Sequence, residues 1–181
     1  MLGVAYALMS SGLERGAVAS GLGALVGIGG VVAAHAATKR PDAIRLGAIH
    51  AVPEGVAIGV AMAVGLPFGA AMALALAVHN VPEATVAIAG LTERGRSLSR
   101  ATLLAVAVNA GQVVFAIAAF AVVAVAPAAL AWGLGAAVGA LVYLVMAELL
   151  PDSYRGAGRT SIALVAIVAV GMVVLLHDRA R

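Results

Sequence analysis

The stretch IHAVPEG, Ile49 to Gly55, is repeated in nearly the same form as VHNVPEA, Val78 to Ala84. Each copy carries a histidine four residues before a glutamate, and the flanking residues are almost all apolar. On an α-helix this spacing places both side chains on one face, one turn apart, where a single cation can bridge them. The repeat therefore predicts two neighbouring helices with matching polar clusters.

A proline stands directly before each glutamate, at Pro53 and Pro82. Proline has no backbone N–H, so the carbonyl four residues earlier, of Ile49 or Val78, loses its helical partner, and the helix usually kinks. Irregular backbone at membrane depth is tolerated only beside protein or a water-filled cavity. The freed carbonyls are therefore expected to line a path through the protein.

The composition is that of a membrane protein. The 181 residues are 64% hydrophobic and 10% charged, and the mean hydropathy is +1.11, values that a soluble domain does not reach. Residues 1–181 are therefore expected to form one integral membrane domain. The chain has no cysteine, which excludes disulfides and thiolate metal sites. The net charge of +3 comes from short arginine-bearing loops, so no nucleic-acid surface is expected.

The hydropathy pattern predicts an all-α, polytopic helix bundle. A spanning helix needs roughly 20 apolar residues, and six segments of about that length are expected to span, at 17–37, 43–64, 68–91, 101–126, 129–150 and 160–177. Residues 2–13 are too short and are expected to form a half helix or a truncated one. Small-xxx-small steps predict close helix contacts at Gly23 with Gly27, Gly55 with Gly59, and Gly135 with Gly139.

Charged loops predict the topology. Arginine and lysine accumulate in alternate connections, whereas the loops around Gly65 and Pro127 carry no charge. By the positive-inside rule the basic loops are cytoplasmic and the C-terminus lies outside, in a multi-pass protein of the cell (plasma) membrane. The basic residues of these loops are Lys39, Arg40, Arg45, Arg94, Arg96, Arg100, Arg155 and Arg159.

The repeated clusters predict a metal site. A carboxylate at mid-membrane costs about 2.5 to 3.5 kcal/mol on insertion scales, so both glutamates need compensation. Two antiparallel neighbouring helices could bring both pairs to one depth, and anionic carboxylates with neutral imidazoles suit a divalent cation. The alternative is that the histidine and glutamate of each pair only hydrogen-bond each other and hold the helices in place. The four residues are His50, Glu54, His79 and Glu83.

Other polar residues interrupt the apolar spans. Asn109 and Gln112 lie three residues apart on one helix face, where their amides could serve as ligands or as interhelical hydrogen bonds. Glu148 begins the run ELLPDSY at a span's end and is expected near the cytoplasmic interface, as a scaffold or gate residue rather than a ligand. His35 and His177 lie near helix ends and are expected to be interfacial.

These motifs resemble those of the Zrt/Irt-like (ZIP) divalent metal transporters, in particular the prokaryotic branch, over essentially the whole chain. IHAVPEGVAIGV at 49–60 is similar to the family's fourth helix, and VHNVPEA to the fifth. LVYLVMAELLPDSY at 141–154 resembles the seventh helix, and MLGVAYALMSSGLERG at 1–16 resembles the second with its start missing. The family has eight helices, so the chain is expected to hold helices two to eight.

The resemblance implies a binuclear metal centre at mid-membrane. Asn80 would help form the second metal position, with the two glutamates as bridges. Two departures fall on that position: the family's asparagine after the first histidine is Ala51, and the family's sixth-helix glutamate aligns with Gln112. The candidate metal residues are His50, Glu54, His79, Asn80, Glu83 and Gln112.

The expected function is uptake of a divalent cation into the cytoplasm. Zinc is the expected metal, and iron, manganese and cadmium are the other candidates. No organic cofactor and no chemical reaction are expected. The resemblance implies a moving bundle of family helices one, four, five and six, and a homodimer in the lipid bilayer. Two rivals are a truncated or non-transporting homologue with a structural or sensing metal site, and an intramembrane metalloenzyme. The enzyme is disfavoured because no His-Glu-x-x-His run occurs.

Overall fold

The computed structural model describes residues 1–38 and 43–151, and the single position Ile167. The described part is helical and contains no strand, which confirms the all-α prediction. The elements in chain order are α1 (Leu2–Ala37), α2 (Ala43–Val64), α3 (Leu66–Glu93), α4 (Leu98–Val125), α5 (Ala129–Leu144) and a π-helical turn (Val145–Leu149).

Five helices of the described residues are long and apolar enough to cross a membrane. They cover the expected spans at 17–37, 43–64, 68–91, 101–126 and 129–150, with α5 and the π-helical turn together supplying the last. The expected span at 160–177 lies outside the described residues.

Helix α1 consists of two arms that meet at Gly16, where the backbone leaves the helical region (φ 160°, ψ 95°). A Cβ placed on Gly12 would lie 2.8 Å from the Ser20 hydroxyl oxygen. Residues eight apart on a straight helix are separated by ~12 Å, at 1.5 Å per residue. The chain therefore folds back at Gly16, and arm 2–15, the expected short N-terminal helix, packs beside the start of arm 17–37.

Helices α1 and α5 approach backbone to backbone. A Cβ placed on any of four glycines would lie 2.0 to 2.3 Å from a carbonyl oxygen of the other helix, closer than any real contact. This confirms the close approach predicted from two of the small-xxx-small steps. The pairs are Gly23 with Trp132, Gly27 with Ala136, Gly135 with Ser20, and Gly139 with Ala24.

Helices α2 and α4 meet in the same way, and this contact positions the site. A Cβ on Gly55 would lie 2.5 Å from the carbonyl oxygen of Gln112, and one on Gly59 would lie 2.3 Å from that of Ala116. The third predicted step is therefore confirmed. Because Gly55 follows Glu54 directly, the same contact brings Gln112 beside the Glu54 carboxylate.

One apolar core joins the first arm of α1 to α2, α3 and α5. Its fully buried large side chains include Leu8, Leu76, Leu134 and Leu141, each at most 1% exposed. Between helices in a membrane such contacts stabilise by close van der Waals packing, since lipid tails are as apolar as leucine. This core holds the repeat-bearing helices α2 and α3 against α5, the helix that leads into Glu148.

Candidate metal centre

The two repeats lie on adjacent helices, as the sequence predicts. Helix α2 continues through Pro53 and helix α3 continues through Pro82. Each helix therefore keeps its histidine and glutamate one turn apart on one face. Glu54 is 1% exposed, so the carboxylate of the first repeat is buried among the helices.

Three of the expected residues bring ligand atoms together. One ligand atom each from Glu54, His79 and Glu83 lies within 4.8 Å of the other two. Two buried side-chain atoms here, Glu54 Oε1 and His79 Nε2, have no hydrogen-bond partner among the described residues. Buried polar atoms are rarely left unpaired, and a cation would pair both.

The cluster is slightly wider than a closed metal site. Zinc lies ~2.0 to 2.2 Å from histidine nitrogen and carboxylate oxygen, so ligand atoms around one tetrahedral ion are ~3.4 Å apart. The three atoms of the cluster, at separations up to 4.8 Å, would have to move inward to close on one ion. The inward movement needed is about 1 Å, which is within the reach of side-chain rotation.

His50, the fourth expected ligand, is hydrogen-bonded to two carboxylates and is not one of the three clustered residues. Its Nδ1 lies 3.0 Å from Glu83 Oε1, and its Nε2 lies 2.9 Å from Glu148 Oε2. A neutral imidazole has one N–H donor and one acceptor nitrogen. Two carboxylate partners therefore require an extra proton, on the ring or on one of the carboxyl groups. His50 can ligate a cation only by giving up one of these two bonds.

Glu148 contacts the site, which sequence reasoning did not predict. It lies in the π-helical turn after α5, and such turns are frequent at functional sites. Its Oε2 meets His50, while its Oε1 lies 2.5 Å from Nε2 of His35. The signal in the sequence was a carboxylate at the end of an apolar span, but its partners lie on other helices. His35, expected to be interfacial, thus belongs to a chain of contacts that reaches the second repeat.

An amide pair covers the other oxygen of Glu54. The Gln112 side-chain N–H donates to Glu54 Oε2 across the α2–α4 contact. The amides of Asn80 and Gln112 also bond each other, with Asn80 Nδ2 donating to Gln112 Oε1 at 3.0 Å. Exchanging the oxygen and nitrogen of Asn80 gives a second solution, in which Gln112 donates to Asn80 at 2.7 Å and Asn80 donates to Glu54 at 3.2 Å. In both arrangements Gln112 binds both Glu54 and Asn80.

The two amides that the sequence grouped together act differently. Gln112 forms interhelical bonds, whereas Asn109 donates to the carbonyl of Ala105 on its own helix, at 2.9 Å. Gln112 and Asn109 both line a cavity of about 30 Å³, which is about the volume of one water molecule. The cavity's other polar lining residues are His50, Glu54, Asn80 and Glu83.

The chain is similar to two proteins that are named as zinc transporters. A candidate zinc transporter of Arabidopsis thaliana, At3g08650, is 32% identical over 136 residues, which are 74% of this chain and 22% of that protein. Zinc transporter GufA of Myxococcus xanthus is 37% identical over 109 residues, which are 60% of this chain and 43% of GufA. The chain thus spans less than half the length of either relative. No protein-family model and no solved structure matches it.

Proposed function

We propose that this chain forms part of a transporter that carries a divalent cation, zinc first, through a membrane. The observation that carries the proposal is the convergence of Glu54, His79 and Glu83 among helices long and apolar enough to span. Two of their buried atoms, Glu54 Oε1 and His79 Nε2, have no hydrogen-bond partner within the described part of the chain. Ionisable groups at membrane depth are costly and usually mark an ion pathway. The similarity to proteins named as zinc transporters supports the same function.

The ligand chemistry favours zinc without excluding its neighbours. One imidazole and two carboxylates suit zinc, and they also accept iron, manganese or cadmium. Two carboxylates balance the charge of a dication, so the loaded site is close to neutral, whereas the empty site carries buried negative charge. Binding therefore lowers the cost of exposing the site to the hydrocarbon core, which is what movement through a membrane needs.

His50 is proposed to join the site by exchanging partners. Its bond to Glu83 holds one ligand carboxylate, and its bond to Glu148 links α2 to the turn after α5. A cation that binds Glu83 competes with the first bond, which frees Nδ1 as a fourth ligand atom. Glu148 would then keep the gate role that its position in the sequence suggested, since it holds His50 from the opposite side.

The direction proposed is inward, towards the side of the basic loops. Arg94, Arg96 and Arg100 flank the α3–α4 connection, and positively charged loops stay cytoplasmic. Release on that side follows when ligands take up protons or move apart. No bond is made or broken in this cycle, so no enzymatic step is proposed.

Uptake into proteoliposomes tests the proposal. Purified protein is reconstituted in vesicles that enclose a fluorescent zinc indicator, and external zinc is then added. The expected result is a saturable signal that Glu54→Ala abolishes and that Glu93→Ala leaves intact, because Glu93 lies at the exposed end of α3. Tight zinc binding without uptake would favour the structural or sensing rival, and absence of both would overturn the proposal.

A further inference from the structure

The two oxygens of the Glu54 carboxylate have opposite environments. Oε1 is buried and has no partner among the described residues, while Oε2 accepts the N–H of Gln112. Each carboxylate oxygen has about two lone pairs, so the amide takes one of the sites on Oε2 and leaves those on Oε1 free for a cation. Oε1 is therefore the less encumbered oxygen of Glu54, and Oε2 the one that the amide covers.

The donor on Oε2 is built into the helix packing. The backbone of α4 lies against Gly55, so that the Gln112 carbonyl would meet a Cβ there at 2.5 Å. Asn80, which is 9% exposed, bonds the Gln112 amide from the third helix. Three helices thus hold the amide in place, and rotation of the Gln112 side chain would break bonds at both of its ends.

A hydrogen-bonded amide also reduces the attraction of this side of Glu54 for a cation. Its N–H presents partial positive charge to Oε2, and hydrogen bonds to a carboxylate stabilise the charge that a metal would otherwise neutralise. Glu54 and Glu83 together balance the charge of one dication, so a second dication beside Oε2 would be repelled by the first with little charge left to offset it.

We infer that Gln112, held by Asn80, is a positioning residue that caps Glu54 Oε2 and confines the site to one cation. The inference rests on the proposed cation site and adds its stoichiometry. Ala51, 3% exposed and lacking a donor atom, lines the same cavity. Next to Oε2 the chain therefore places an amide at Gln112 and a methyl group at Ala51, neither of which adds the negative charge that a second cation needs.

The test replaces the amide by a carboxylate of the same shape. Gln112→Glu removes the N–H donors and adds a negative charge next to Glu54 Oε2. Asn109→Asp is the matched control, because it makes the same chemical change in the same cavity, where the lost donor served Ala105 rather than Glu54. Each purified protein, with its affinity tag removed, is dialysed against zinc, and bound zinc per chain is measured by mass spectrometry.

The expected result is close to one zinc ion for the unmodified protein and for Asn109→Asp, and close to two for Gln112→Glu. Two ions in the unmodified protein, one in Gln112→Glu, or two in Asn109→Asp would each overturn the inference. Asn80→Asp offers a second route should Gln112→Glu fail to fold, and it is also expected to bind two ions, with one ion counting against the inference. An unmodified protein that binds no zinc would instead refute the proposed function.

Discussion

Replacing Glu54 by alanine is expected to weaken zinc binding strongly and to abolish transport. Glu54 is 1% exposed, and one of its carboxylate oxygens is among three ligand atoms that lie within 4.8 Å of one another. A unit charge pair at 4 Å interacts with ~4 kcal/mol at an effective dielectric constant of about 20. Even if half of this is offset by the cost of burying the carboxylate, ~2 kcal/mol remains, a factor of ~30 in affinity.

The assay is zinc binding by equilibrium dialysis alongside uptake into vesicles at matched protein content. Glu83→Ala is expected to behave like Glu54→Ala, since both carboxylates belong to the cluster. Glu54→Gln should be milder, because its carbonyl oxygen can still coordinate while its charge is lost. Unchanged affinity or uptake in either alanine variant, at normal abundance in the membrane, would refute the assignment of these carboxylates as ligands.

Three further predictions follow from the same geometry. Zinc affinity should weaken as the pH falls from about 7 to about 5, because protons compete for imidazoles of ordinary pKa ~6.5 and for carboxylates; a flat titration would argue against histidine ligands. Glu148→Ala should slow uptake less than Glu54→Ala does, since Glu148 lies outside the three-residue cluster, and complete loss in the vesicle assay would contradict that order. Gly27→Ala should destabilise the protein by about 1 to 3 kcal/mol, as measured by thermal unfolding in detergent, because its Cβ would lie 2.0 Å from the Ala136 carbonyl oxygen. Gly29→Ala is the control and should change little, since no atom of the described residues lies within 4 Å of a Cβ there.

The features that could be predicted from the sequence are those set within a single helix. Hydrophobic length located the spans, and the spacing of His50 to Glu54 and of His79 to Glu83 placed each pair on one face. Both depend only on helix geometry. The small-xxx-small steps also indicated which helix faces pack closely, although such a step does not identify the helix that packs against it.

The contacts that escaped prediction depend on how the helices are rotated against one another. His50 meets Glu148 across 98 positions of sequence, and Gln112 meets Glu54 across 58. The sequence around His50 or Gln112 does not determine which helix these side chains face, because the packing of whole helices decides it. The sequence therefore grouped His50 with the ligands, whereas the structure engages both of its ring nitrogens with carboxylates.

The glycine contacts of α1 with α5 also determine which movements are open to the protein. A shift of α1 by one helical turn would bring Val31 to the place of Gly27, opposite the Ala136 carbonyl that already excludes a Cβ. A shift in the opposite direction would bring Ala19 to the place of Gly23, opposite the Trp132 carbonyl. A slide by one turn is therefore opposed in both directions, and the Gly55 and Gly59 contacts oppose it for α2 against α4. The contact between the two pairs is of another kind, because α2 and α5 are joined by side chains such as Ala57, Val60 and Leu134. Under the proposed function, a displacement that carries an ion is expected at surfaces of this kind rather than within either pair.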